Sequence, residues 1–504
     1  MKRVLIASPI KQKPSILSEF LACLQGLNTE GLILEYMFID DNDQPSKELQ
    51  AFSEGRPGVA ILKGTEQSHL YQCNEQTHFW QDDIVWKVAR YKDYFIQAAR
   101  QRGYDYLFLV DSDLALHPKT ITHLVSIDKD IVSEVYWTKW EQQLIPLPQV
   151  WLGGQYRLHE LEAGKELNAN EVARRQQEFI SKLYCPGTYK VGGLGACTLL
   201  SQAALQAGVS FQKIYNLDLV GEDRHFCVRA AVLGLELYAD TCYPPFHIYR
   251  ESELPMLTHH KEQYDFAQSK PRPKLTLAVL VRNEADRYLE KVLTHAARYV
   301  DQAVILDDAS TDQTVEVCKR CLGNLPHQII VNKEAGFHNE VTLRKQLWEL
   351  AVGTEADWIL ILDADEVFED AIVDVMPHLV NNPNADVYYF RLYDMWNEIQ
   401  YREDEYWQAH KTYRPFLVRY RPEYPYVWQD SPQHCGRLPV NIGILRDIPC
   451  QIRLQHLGWA RPADRLEKYY RYKKLDPDAI YGNKAQYQSI LDPKPALIVW
   501  QESE

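Results

Sequence analysis

Short, almost continuous apolar runs that stop on paired acids set the pattern of this chain. Residues 4–8 and 275–281 open two stretches of sequence in the same way. Each is followed by a run ending in two aspartates: Tyr36-Met37-Phe38-Ile39-Asp40-Asp41 and Ala303-Val304-Ile305-Leu306-Asp307-Asp308. Each stretch then offers a second run ending in D-x-D. Residues 106–110 precede Asp111-Ser112-Asp113, and residues 358–362 precede Asp363-Ala364-Asp365. Runs without polar alternation predict strands buried on both faces, hence a mainly parallel sheet covered by helices. Helical periodicity fills the gaps. Residues 86–102 predict a helix closing on Gly103, and 339–352 one closing on Gly353. Ser310-Thr311-Asp312-Gln313 predicts an N-cap with a capping-box Gln, opening a helix to Leu322. The expected fold class is α/β, built from two tandem domains.

Ser269-Lys270-Pro271-Arg272-Pro273-Lys274 alternates prolines with cations and can continue neither a helix nor a central strand. It is read as a linker at 269–274, between a first domain at 1–268 and a second at 275–504. Because Asp111 and Asp363 hold matching places in the two halves, the repeat is a whole domain.

The 504 residues carry 55 Lys+Arg against 69 Asp+Glu, a formal net charge of −14. That field argues against nucleic acid as a partner. Residues 4–10 are too short and too interrupted, by Ser8 and Pro9, for a signal segment, and no run predicts a transmembrane helix. Ten scattered cysteines fit reduced thiols, and Cys318-x-x-Cys321 has no second pair to make a zinc site. The expected compartment is cytoplasmic, with peripheral membrane contact left open.

Asp111/Asp113 and Asp363/Asp365 end the most apolar strands. Two carboxylates two residues apart on extended chain point the same way. That suits a hard divalent cation, Mn²⁺ or Mg²⁺, shared with substrate phosphates. The competing reading is that these acids cap the next helix.

The second half resembles the family 2 glycosyltransferases of the glycosyltransferase-A fold. Asp307-Asp308-Ala309-Ser310-Thr311-Asp312-Gln313-Thr314 is similar to that family's D-D-x-S-x-D-x-T segment, Leu362-Asp363-Ala364-Asp365-Glu366 to its metal motif, and Val281-Arg282-Asn283-Glu284 to its opening strand and donor loop. The first half keeps Asp40-Asp41 and Asp111-x-Asp113 but lacks the S-x-D-x-T tail. The resemblance implies two glycosyltransferase-A domains using a nucleoside-diphosphate sugar. It implies donor contacts at Asp307, Asp308, Asp363, Asn283 and Glu284, and at Ser8, Asp40, Asp41 and Asp111. Metal ligands would be Asp363 and Asp365, and Asp111 and Asp113. Lys92 and Arg344 stand at one offset before the two D-x-D pairs, where a cation could face a diphosphate; a solvated helix face is the other reading.

Inverting transfer needs a carboxylate to take the acceptor's proton. Asp223, with Glu222 second, is the expected base in the first half, since Gly221-Glu222-Asp223-Arg224 resembles the family's E-D motif; an acidic first helical turn is the alternative. In the second half His434-Cys435-Gly436-Arg437 lacks the family's His-Glu, which leaves Asp430. His456 resembles a late metal-binding His of this fold, and His247 holds the same place in the first half. Tyr388-Tyr389, Trp396, Tyr406-Trp407 and Trp428 lie near the expected acceptor region. The expected function is metal-dependent sugar transfer to a polysaccharide, lipid-linked glycan or glycoprotein. The rivals are one working domain beside a carbohydrate-binding one, and a non-catalytic glycan-binding scaffold. A nucleotidyltransferase would need a Gly-rich loop after the first strand, and neither half has one.

Overall fold

The computed structural model describes the chain except residues 65–71, 74–77, 80, 141–145, 162–163, 165, 265–271, 432–434, 476, 478–482 and 503–504, and the side chains of 72–73, 78–79 and 475. The chain divides into two compact units between residues 270 and 271. Much of the linker read at 269–274, and His434, lie outside the described residues.

The first unit is built on an eight-stranded sheet: β1 (Lys2–Ile10), β2 (Leu32–Asp40), β3 (Val59–Lys63), β4 (Tyr106–Val110), β5 (Ile131–Glu134), β6 (Thr188–Val191), β7 (Cys197–Ser201) and β8 (Leu237–Asp240). Their order across the sheet is β6-β8-β5-β7-β4-β1-β2-β3. Strands β3, β2, β1 and β4 are parallel. Antiparallel β7 separates β4 from β5, β8 runs parallel to β5, and β6 closes the edge antiparallel. The two-residue period of a strand puts alternate apolar residues on opposite faces. Leu5, Ala7, Met37, Ile39, Leu107 and Leu109 enter one core, while Val4, Ile6, Phe38, Phe108 and Val110 enter the other. Helix α1 (Asp82–Gln101) packs on this sheet, α2 (Thr120–Ser126) follows β4, and α3 (Glu222–Val232) precedes β8.

The second unit repeats the arrangement with β9 (Leu275–Val281), β10 (Gln302–Asp307), β11 (His327–Val331), β12 (Trp358–Asp363), β13 (Glu366–Phe368), β14 (Val387–Asp394), β15 (Tyr413–Arg419) and β16 (Asp447–His456), in the order β11-β10-β9-β12-β15-β14-β16-β13. The directions match the first sheet strand for strand: four parallel, an antiparallel intruder, a parallel pair and an antiparallel edge. Each sheet is therefore mixed, with its parallel part as expected. In both units the paired acids fall at the carboxyl ends of parallel strands, where open α/β sheets bind ligands.

Two helix ends differ from expectation. Helix α4 spans Thr314–Leu322, not from Ser310, because Ser310, Asp312 and Thr314 bond to a neighbouring loop instead of capping. Helix α5 (Glu340–Val352) ends at Gly353 with right-handed geometry, and Glu355 takes the left-handed turn at φ 59°. Gly103 does adopt φ 64° after α1. No disulfide joins the described cysteines. No described helix is long and apolar enough to cross a membrane.

One charge cluster fastens the second sheet. Buried Asp386 accepts from Arg421 at 2.6 Å and Arg446 at 3.0 Å, with Arg419 at 3.6 Å. Burial opposes its charge, but Arg446 and Arg421 hold the carboxyl below its ordinary value. Asp386→Asn should cost about 2–3 kcal/mol, less than the ~3–5 of a fully buried pair, because Arg421 and Arg446 are partly solvated. A depressed folded pKa gives stability above the unfolded value of about 4, lost as pH falls through the folded one. Denaturant titrations from pH 7 to 3 should show wild type losing this increment and the variant not.

Candidate active site: an aspartate–histidine pair in each unit

In the second unit, β16 ends at His456, which pairs in register with Glu366 on one side and Asp394 on the other. His456 Nε2 thereby faces Asp365 Oδ2 at 3.6 Å, and its Nδ1 lies 2.7 Å from Asp394 Oδ1. Burial alone would lower the His456 pKa; Asp365 and Asp394 raise it to about 9. Asp365 is held ionised, against burial, by His456 and by Lys468 at 3.6 Å. Lys468 comes from α6 (Pro462–Leu475) and lies over the Trp459 ring.

Gly458 brings its backbone tightly against this junction. A Cβ on Gly458 would overlap Asp365 Oδ2 and Lys468 Nζ and come within 3.0 Å of His456 Nε2. One carboxylate and one imidazole, the latter oriented by a second carboxylate, fit an octahedral dication that takes its other ligands from phosphate and water. Gly458→Ala should push the Asp365 carboxylate and Lys468 aside and weaken Mn²⁺ binding on the order of 10–100-fold. Titration with Mn²⁺ followed by electron paramagnetic resonance reads this directly.

Asp363 does not join that pair. Arg344 Nη2 lies 3.0 Å from its Oδ1, and Arg437 Nη2 3.5 Å from its Oδ2. These cations outweigh burial and keep its pKa low. Arg344 also binds Glu340, and Arg437 binds Glu366 at 2.7 Å. Arg344 is thus paired within the protein, although its buried Nη1 has no hydrogen-bond partner.

The resemblance motif turns out to be largely a clasp between two loops. Asn283 and Ala309 adopt left-handed φ of 53° and 57°. Asn283 N donates to Ser310 Oγ, Thr311 N to Asn283 Oδ1, Glu284 N to Thr314 Oγ1 and Ala285 N to Asp312 Oδ2. Asn283 is therefore spent on structure. Asp308 accepts from Gly336 N at 2.6 Å and Phe337 N at 3.1 Å, so it fixes a loop. Asp307 Oδ1 accepts from Ser310 N, while its buried Oδ2 has no hydrogen-bond partner. Of the two, Asp307 keeps an oxygen for a ligand. Glu284 binds Arg287 at 3.3 Å, and burial raises its pKa to about 7, with Arg287 opposing and Asp365 adding to the rise.

The first unit repeats the central pair. Short strands Leu114–Ala115 and Phe246–His247 run antiparallel, and His247 Nε2 reaches Asp113 Oδ2 at 3.5 Å. Thr138 Oγ1, 2.8 Å from Nδ1, does the orienting. Lys92, on α1, is 3% exposed and lies 2.8 Å from Glu222 Oε1 and 2.9 Å from Asp223 Oδ1. Burial, with Asp113, Asp223 and Glu222 nearby, pushes the Asp111 pKa well up, and Lys92 opposes this. Gly192 and Gly193 let their strand approach Leu152 and Trp151, where a Cβ would overlap both, and Leu194 N donates to Cys227 Sγ of α3.

The other first-unit candidates are committed locally. Ser8 is buried inside β1. Asp40 accepts from Asn42 N and Ser46 N, closing the loop after β2. Asp41 binds Lys87 at 2.7 Å and Tyr91 OH at 3.0 Å. In the second unit Asp430 is exposed. Tyr388 is buried against Trp358, and Trp396, Trp407 and Trp459 form a buried cluster, so these rings are core and not an open acceptor platform.

Residues 276–434 match the family Glycosyl transferase family 2. This segment is a family 2 glycosyltransferase domain. It contains the loop clasp, Asp363 and Asp365, while His456 lies beyond its end. An uncharacterised protein of Mycobacterium tuberculosis is 27% identical over 231 residues, covering 43% of this chain and 54% of that protein. An uncharacterised glycosyltransferase of Rickettsia prowazekii is 25% identical over 132 residues, covering 26% and 41%. The chain thus spans about half the length of the curated relatives it matches. Among solved structures, S. aureus TarS is 15% identical over 43% of this chain and 42% of that one, with a TM-score of 0.28. GalNAc-T7 with UDP, GalNAc and Mn²⁺ is 13% identical over 49% and 43%, with a TM-score of 0.30. Matches this distant add nothing to the glycosyltransferase domain's own geometry.

Lys468, Asp394, Arg437 and Lys87 touch the candidate residues, and sequence reading missed them. Their partners lie far away in sequence, and only strand register or helix packing brings them together.

Proposed function

We propose that this chain is a glycosyltransferase with two donor sites, one at the strand ends of each unit. Each would bind a nucleoside-diphosphate sugar and pass the sugar, with inversion, to a hydroxyl of a glycan acceptor. The observation that carries this reading is the Asp–His pair just after the D-x-D strand in both units, whose sheets share one pattern of strand directions. Asp365 and His456 would hold Mn²⁺ or Mg²⁺ in the second unit, and Asp113 and His247 in the first. Such an ion, when bound, neutralises diphosphate charge as the leaving group departs. Asp307 would meet the nucleoside, and Lys468 would add a fixed positive charge beside the diphosphate.

In the first unit Asp223 is the proposed base. Lys92 holds its Oδ1, so Oδ2 is the atom that would take the acceptor's proton. Asp430 is the proposed base of the second unit, carried to the reaction by its loop. Domain limits of 1–268 and 275–504, a cytoplasmic setting and a polysaccharide, lipid-linked or protein-linked glycan acceptor belong to the same proposal. The reading with a single working unit rests on Lys468, which already shares Asp365 with His456. Hydrolysis of a panel of nucleotide sugars, with Mn²⁺, Mg²⁺ or chelator, tests the proposal. Metal-dependent turnover of at least one donor supports it; no turnover and no binding of any donor overturns it.

A further inference from the structure

A second cluster of donors lies in the first unit, on strands other than β4. Strands β5 and β8 are parallel neighbours, and their last residues, Glu134 and Asp240, are register partners. Both side chains are 0% exposed. Adjacent strands lie roughly 4.8 Å apart, so two carboxyls directly opposite meet in a dry interior, a costly arrangement without a positive partner. His123 reaches over from α2, with Nε2 3.0 Å from Asp240 Oδ1. Thr188 Oγ1 donates to Asp240 Oδ2 at 2.7 Å, and Cys242 N donates to Oδ1 at 2.9 Å. Neither oxygen of Glu134 makes a hydrogen bond of normal geometry. Ligand atoms of His123, Glu134 and Asp240 all lie within 4.8 Å of one another.

No lysine or arginine is among these donors. We infer that His123, Glu134 and Asp240 form a binding site for a transition-metal dication of the zinc class. One imidazole and two carboxylates suit Zn²⁺ with a water in the fourth place, whereas Mg²⁺ and Ca²⁺ take oxygen alone. His123 Nε2, which now donates its proton to Asp240, would lose that proton and turn its lone pair to the ion. Glu134 would gain a positive charge beside it. Burial, with Asp240 beside it, pushes the Glu134 carboxyl well above its ordinary value, which is the alternative way to bear the crowding: a shared proton in place of an ion. The His123 side chain is 18% exposed and gives the ion a way in. Bound there, the metal would tie α2 to the ends of β5 and β8, a structural role separate from sugar transfer.

The test uses the full chain, stripped with chelator and dialysed against Zn²⁺ or, as a spectroscopic probe, Co²⁺. The background is Asp113→Ala with Asp365→Ala, which removes the proposed nucleotide-site ions. About one equivalent of Zn²⁺ should remain bound, and Co²⁺ should show intense tetrahedral d–d bands. Glu134→Gln and, separately, His123→Ala should each weaken this binding about 10–100-fold and abolish the Zn²⁺-dependent rise in melting temperature. Should Glu134→Gln fail to fold, His123→Ala and the Co²⁺ spectrum decide. A stripped protein that takes up no Zn²⁺, or takes it up unchanged in the variants, overturns the site and leaves the shared proton.

Discussion

Replacing Asp365 with alanine should lower donor turnover in the second unit by about 10²–10³-fold while leaving the fold intact. Asp365 is where the site's charges converge: His456 and Lys468 both lie 3.6 Å from its Oδ2. Without it, two cations face each other across an empty corner, and the dication loses its carboxylate. The fold should survive because both cations keep other contacts, His456 with Asp394 and Lys468 with the Trp459 ring. Measured as metal-dependent donor hydrolysis alongside thermal melting, the variant should lose turnover and keep its transition. A variant that melts early would mark Asp365 as a structural residue. Turnover traced to the second unit and unchanged would remove it from the site.

Lys92→Met should have the largest effect on stability, about 3–5 kcal/mol. Lys92 pairs with Glu222 and Asp223, and it also offsets the crowding at Asp111. Removing it leaves three half-buried carboxyls facing one another. The comparison with Arg344 fixes the size. Asp363 has both Arg344 and Arg437, so Arg344→Met leaves it partnered and should cost less. Denaturant titration of the two variants should show Lys92→Met the weaker protein, with Lys92→Arg recovering part of the loss. Equal stability of Lys92→Met and wild type would contradict the network.

Much of this was written in the strand pattern. Uninterrupted runs such as 106–110 and 358–362 can only be buried on both faces, and their terminal acids follow. The offset shared by Lys92 and Arg344 was legible as well, but what the cations face was not. Lys92 meets Glu222 and Asp223, far along the chain, and no local pattern encodes that. Ser310, Asp312 and Thr314 look like a helix cap in sequence, because a cap and a loop clasp use the same short polar side chains. Register hid the rest. Glu134 and Asp240 carry no motif, and they become a pair only because β5 and β8 lie side by side. Trp396 and Trp407 looked like ring surfaces for a sugar; packing with Trp459 made them core.

The central claim is that two donor sites exist, one per unit. Equilibrium titration of the full chain with nucleoside diphosphates in the presence of Mn²⁺ counts them. The account predicts about two Mn²⁺-dependent sites, with Asp113→Ala and Asp365→Ala each removing one and the double variant removing both. A count that neither substitution changes would contradict it.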